Sequence, residues 1–285
     1  MILREVLEIV RSELQAINRS GMLWKVLGIY LVGVSLTVLL SWSHTVVAAE
    51  ADPPRTWNWF AYMTLGSLGY AGLSLAADLY RTAGRVAVYE WVYYDAARVA
   101  SALIGRFVAV TATVVSAAAL ALPVGILAAA SLGPTARGVV EITLVTGTTC
   151  ACLIAAGLAI STGTTEPPMR LVAAHGLYAV FAALSFVVAG WLGPAGARGT
   201  VGLLSPLGAI RYFLTLPPSD TQPPFPWTTW FVLYFIVFVA LIALAYFRLW
   251  EWLPTPRGEL RSTAEGRNGK RTSRTDSRGE PPFAP

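Results

Sequence analysis

The chain has 285 residues, 55% of them hydrophobic and only 13% charged, with a formal net charge of +5. Ordinary soluble domains carry about 25% charged residues, so an ordinary soluble fold and a separate soluble catalytic domain are both excluded. The basic excess lies beside apolar stretches, where membrane orientation accounts for it and nucleic-acid binding does not.

Residues 2–19 form the first predicted element. Leu3, Val6, Leu7, Val10, Leu14 and Ile17 recur at helical spacing, and Arg4, Glu5, Glu8, Arg11, Glu13 and Gln15 fill the rest of the wheel. This pattern predicts an amphipathic helix, either lying in the membrane interface plane or packed on a soluble partner. Asn18 to Gly21 supplies its stop.

Six apolar runs follow, at residues 22–42, 59–78, 107–131, 138–160, 171–192 and 229–248. Each is close to the roughly 20 residues that a helix needs to cross a hydrocarbon core. Each is apolar all round, unlike the one-sided stripe of a soluble helix. The expected fold class is all-α: a polytopic six-span bundle over residues 22–250, preceded by the amphipathic helix of residues 1–21 and followed by a polar tail at 251–285. Val47–Ala49 resembles a signal-peptidase site, but the run before it is membrane-length and residues 1–21 precede that run, so the first span reads as retained.

The charges orient the spans. An even number of spans puts both ends on one side, together with Arg4, Arg11, Arg19, Lys25, Arg81, Arg85, Arg98, Arg106, Arg170, Arg248 and the basic tail. Arg55, Arg137, Arg198 and Arg211 fall on the other side. The positive-inside rule makes the richer side cytoplasmic.

The connection between the second and third runs, residues 79–106, has no proline and only Gly84 and Gly105 as glycines. It mixes Arg81, Arg85, Glu90, Asp95 and Arg98 with Tyr89, Trp91, Tyr93 and Tyr94. It is expected to be helical and to continue into the third span. Its aromatic and arginine side chains suit either a protein interface or the headgroup layer.

Within the spans, Pro123 removes a backbone donor and is a candidate kink. Glu141 either lines a polar pathway or reaches headgroups and water. Cys150 and Cys152 are small residues at a helix contact in one reading and a soft-metal pair in the other. His175 reads as a hydrogen-bonded packing residue in preference to a proton relay. The outer segment 193–228 is apolar enough over Val201–Leu216 to re-enter the membrane as two short helices, with a break at Ser205–Pro206. Pro217, Pro218, Pro223, Pro224 and Pro226 then predict an extended strap. The tail is too polar to bury. The phosphate-loop pattern GxxxxGK[ST] does not occur, and neither does an internal repeat.

Three local patterns, in this order, carry a resemblance. Arg81–Gly84 follows the second span, Leu103–Arg106 opens the third with apolar-Gly-basic, and Leu204–Ile210 places Ser-Pro before the last span. Together with the N-terminal amphipathic helix and six runs, residues 1–250 resemble the membrane subunit of an ABC transporter of the ABC-2, or type V exporter, class. Asp78 and Arg81 stand where that family often has Glu-Arg, and Tyr93–Asp95 replaces its usual proline.

The resemblance implies a permease in the plasma membrane with both termini cytoplasmic. It would pair with a second copy or a related permease and bind a cytoplasmic ABC ATPase subunit. It would contact membrane lipids and no nucleic acid. The chain itself would carry no catalytic or metal site and no cofactor, ATP and magnesium belonging to the ATPase. A coupling helix over about 81–98 would present Arg81, Gly84, Arg85, Tyr89, Glu90, Trp91, Asp95 and Arg98 to that subunit, and Ser205, Pro206 and Arg211 would belong to the external re-entrant segment. The nearly charge-free spans suit a hydrophobic or amphipathic cargo. The alternative function is a non-transporting scaffold that recruits a cytoplasmic partner. An intramembrane enzyme would need paired catalytic groups at depth, and the spans offer almost none.

Overall fold

Helices whose side chains are apolar on every face bury one another or face lipid, and the computed structural model resolves which does which. It describes residues 2–19, 21, 24, 27, 28, 30–35, 55–82, 96–132, 136–163, 167–191, 205–214 and 225–251. Seven helices lie among them: α1 (Ile2–Arg19), α2 (Arg55–Thr82), α3 (Ala96–Leu132), α4 (Ala136–Gly163), α5 (Pro167–Trp191), α6 (Pro206–Leu214) and α7 (Trp227–Glu251). Residues 24, 27, 28 and 30–35 of the first predicted span are also helical, and no strand occurs among the described residues.

Four of these helices are long and apolar enough to cross a membrane: Val99–Leu120, Gly138–Gly163, Pro168–Ser185 and Trp227–Trp250. They are the third to sixth predicted runs. The second run also forms a long helix, α2, but its glycines, serines and tyrosines lower its hydropathy below that of the other four. The reason is its place in the bundle. Ala61, Leu65, Leu68, Ala71, Leu73, Ser74, Leu75, Ala76 and Ala77 are all buried against protein, so much of α2 packs on neighbouring helices. Much of the first run lies outside the described residues.

Helix α4 is the hub, touching α2, α7, α6, α3 and α5. Its tightest seam is with α2, where glycines replace bulk. A Cβ at Gly69 would meet Leu153, one at Gly72 would meet Ile154, and one at Gly157 would meet the backbone of Leu73. Small residues that let two backbones approach are the main source of helix affinity inside a bilayer, because lipid tails are as apolar as the side chains. Several hydroxyls along the helices are satisfied locally: Thr113, Thr143, Thr148 and Thr149 each donate to the carbonyl four residues earlier, whereas Ser74 Oγ and Thr111 Oγ1 are buried with no hydrogen-bond partner among the described residues.

Two apolar clusters organise the bundle, the first running from the α1 end into the middle and the second lying at the α6 end. One joins Ile17 of α1 to Leu75 of α2, Val99 and Leu103 of α3, Leu158 of α4 and Leu249 of α7. The other joins Ala61 and Leu65 of α2 to Ile142 and Val145 of α4, Ala209, Ile210 and Phe213 of α6, and Phe225 and Trp230. Successive long helices therefore alternate in direction, and the end of α7 returns to the α1 end. At 37 residues and 1.5 Å per residue, α3 is about 55 Å long, well beyond a hydrocarbon core of about 30 Å. The helix continues through Pro123.

Candidate functional site

The residues singled out in the sequence fall at both ends of the bundle. Arg81 lies in the last turn of α2 and Arg98 in the first turn of α3. Gly84, Arg85, Tyr89, Glu90, Trp91 and Asp95 lie between those helices and outside the described residues. The structure thus describes the flanks of this segment in the chain: α2 as far as Thr82, and α3 from Ala96, running unbroken into the bundle.

At the same end, α1 is seated on α3. The helix predicted to lie in the membrane interface or on a partner packs on one side against its own chain, mainly α3 and also α2. Gly105 forms a notch for it: a Cβ there would fall 2.6 Å from Ile9 Cγ2 and 3.4 Å from the Val6 carbonyl oxygen. Next to the notch, Arg106 Nε donates to Glu13 Oε1 over 2.9 Å, with side-chain exposures of 2% and 1%. The second oxygen, Glu13 Oε2, is buried with no hydrogen-bond partner among the described residues. The apolar-Gly-basic pattern at Leu103–Arg106 therefore has a local physical role, the glycine admitting Ile9 and the arginine meeting Glu13. The outer row of α1 stays open, with Leu3 and Leu7 exposed. Leu7, Val10, Arg11, Leu14, Gln15 and Asn18 line a shallow groove along it.

At the opposite end, Ser205–Pro206 starts a helix as well as ending the apolar segment before it. Ser205 caps α6, its Oγ accepting from the Gly208 amide at 3.3 Å and its carbonyl from the Ala209 amide at 2.8 Å. Pro206 fills the first helical position, where its missing N–H costs nothing. Among the described residues the outer segment contains this one short helix, with Arg211 within it, where two were expected. Residues 201–204 and 215–224 lie outside the description. Tyr212, Phe213, Phe225, Trp227 and Trp230 form a continuous ring cluster that ties α6 to the start of α7, with Trp230 stacked on Tyr234 at 4.2 Å.

Between the ends, Cys150 and Cys152 serve different neighbours. Cys150 sits in the cluster that holds Tyr30 and Leu68, whereas the Cys152 thiol donates to the Tyr234 carbonyl of α7 at 3.4 Å. Cys152 also lines an open apolar groove of about 440 Å³ with Phe107, Phe231, Tyr234, Phe235 and Phe238. His175 joins α5 to α2. Its Nδ1 lies 2.6 Å from the Leu171 carbonyl, which only accepts, so Nδ1 carries a proton and Nε2 faces the Tyr70 hydroxyl at 2.6 Å. Tyr178 donates to the Gly66 carbonyl at 2.8 Å beside it. Glu141 is half-buried near the start of α4.

No protein-family model matches the chain, and neither does any curated protein.

Proposed function

We propose that the chain is the membrane subunit of an ATP-driven exporter of the ABC-2 type, with six spans, both termini cytoplasmic and a location in the plasma membrane. In this reading residues 81–98 dock on a separate cytoplasmic ATPase, and the permease works as a pair of copies or with a related chain. The outer segment, with Ser205, Pro206 and Arg211, re-enters the membrane from outside. The cargo is hydrophobic or amphipathic, in keeping with span centres free of Asp, Glu, Lys and Arg.

One observation carries the reading: α3 is a single helix from Ala96 through the bundle to Leu132. A force applied to the segment just before Ala96 would be transmitted along a stiff rod to the opposite end. Separate ATP hydrolysis coupled to opening of a path needs such a part.

The test is alanine substitution at Arg85, Tyr89 and Glu90 in the full chain, followed by co-isolation of the ATPase and export in inverted vesicles. Aromatic and arginine anchors cost about 2 kcal/mol or more when truncated from a buried interface. The expected outcome is loss of ATPase association, or hydrolysis uncoupled from export, with the bundle still folded. Wild-type behaviour of all three variants overturns the reading, and a partner without ATPase activity would favour the scaffold.

A further inference from the structure

The geometry points to the Glu13–Arg106 pair as a register key, a contact that fixes where α1 sits along α3. Apolar packing alone leaves the position of α1 along α3 open. The apolar side chains of α1 recur every three or four residues at Val6, Ile9, Val10, Leu14 and Ile17. A shift of one turn, about 5.4 Å, that brings lower-numbered residues into their places replaces each by another apolar side chain: Leu3, Val6, Leu7, Val10 and Leu14. The apolar face of α3 repeats likewise, with Val99, Leu103 and Val110 buried along one side. Such a seam holds the two helices together without choosing one position.

The ion pair does choose. Both side chains are almost wholly buried, and Arg106 Nε meets Glu13 Oε1 at 2.9 Å. Sliding α1 by a turn in either direction separates them and leaves the buried Glu13 carboxylate without its arginine, which is strongly unfavourable. The Gly105 notch adjoins Arg106 and receives Ile9; one turn away α1 would offer it Val6 instead, so the charge and not the notch chooses the position.

The pair is poorly suited to being a simple stabilising contact. Glu13 Oε2 has no hydrogen-bond partner among the described residues. A matched apolar pair in place of a buried ion pair is commonly as stable or more so. Fixing register is the best-attested use of a buried polar contact in an otherwise apolar helix seam. Glu13 and Arg106 are thus positioning residues, and the inference is independent of what docks on residues 83–95.

The test is a spin-label distance measurement on the full chain in lipid nanodiscs. Labels go on Leu3→Cys and Ile104→Cys, both exposed positions, with Cys150 and Cys152 replaced by alanine throughout. The parent should show one narrow distance. The double variant Glu13→Leu/Arg106→Met removes both charges and keeps the volume apolar. It should remain folded by gel filtration and thermal unfolding, while its distance distribution splits to include a second population about one helical turn away. A single unshifted distance in the folded double variant overturns the inference, because apolar shape alone would then set the register. Loss of the fold in the double variant also overturns it, since the pair would then act as a stabilising contact.

Discussion

Gly157 of α4 lies directly against the Leu73 carbonyl of α2. A Cβ at position 157 would come within 2.5 Å of that oxygen and 2.7 Å of the Ala76 Cβ. Neither obstacle is the end of a flexible side chain, so relief requires the two helices to separate. Overpacking typically costs about 1–3 kcal/mol, and Gly157→Val is expected at the top of that range or above it. Gly147, on the same helix, has nothing within 4 Å of an added Cβ. Gly147→Ala should be neutral or stabilise by up to about 1 kcal/mol through lower backbone freedom in the unfolded chain. Thermal unfolding in detergent compares the two, and equal shifts would refute the close-approach seam.

The Tyr70–His175 contact predicts a measurable coupling across α2 and α5. Tyr70→Phe removes the hydroxyl that faces His175 Nε2, and His175→Ala removes the ring. Interhelical hydrogen bonds in membrane proteins average about 0.6 kcal/mol and reach about 1.7 kcal/mol. The short 2.6 Å separation places this pair in the upper half. A double-mutant cycle on unfolding free energy should return that coupling, and strictly additive effects would show that the contact contributes nothing.

The aromatic cluster at the α6 end makes a contrasting pair of predictions. Phe213 is buried among Tyr212, Phe225 and Trp227, so Phe213→Ala opens a ring-sized cavity and should cost about 3 kcal/mol. Trp230 is fully buried, and its Nε1 has no hydrogen-bond partner among the described residues. Trp230→Phe removes an unpaired donor while keeping most of the ring, so relief of desolvation offsets part of the lost volume. It should destabilise less than Phe213→Ala in the same unfolding assay. The reverse order would mean that the indole N–H is satisfied in the membrane.

Sidedness is tested in intact cells. With native thiols replaced, a cysteine at Asp220 should react with an impermeant maleimide, and one at Ser273 should react only after permeabilisation. The opposite pattern would invert the proposed orientation.

The long helices were legible because lipid imposes a simple rule on them: a continuous apolar run must become a helix of spanning length. That rule identified α3, α4, α5 and α7 to within a few residues at most ends. It located α2 but not its character, because Gly69 and Gly72 serve a neighbouring helix and only the structure names that neighbour. The Ser205–Pro206 pair reads in the sequence as a break within a segment of two short helices; the structure shows Ser205 capping the second part, α6, and residues 201–204 lie outside the described residues. The Glu13–Arg106 pair was missed. Its signal was present, since Glu13 falls four residues after Ile9 and four before Ile17, inside the apolar stripe of α1, and Arg106 falls between Leu103 and Val110 on the buried face of α3. A charge within an apolar stripe calls for a partner, but the stripe alone does not say which distant residue supplies it.

Glu13 and Arg106 are 93 residues apart in the chain, and that distance imposes an order on biosynthesis. When α1 leaves the ribosome, the helix that will neutralise its buried carboxylate has not been made. Until α3 is in place, burying Glu13 would strand a lone charge, so α1 is expected to stay hydrated until α3 has been made. A helix made well before its partner is therefore seated late, and a nascent chain halted before Arg106 should expose α1 to proteases that spare it in the finished protein.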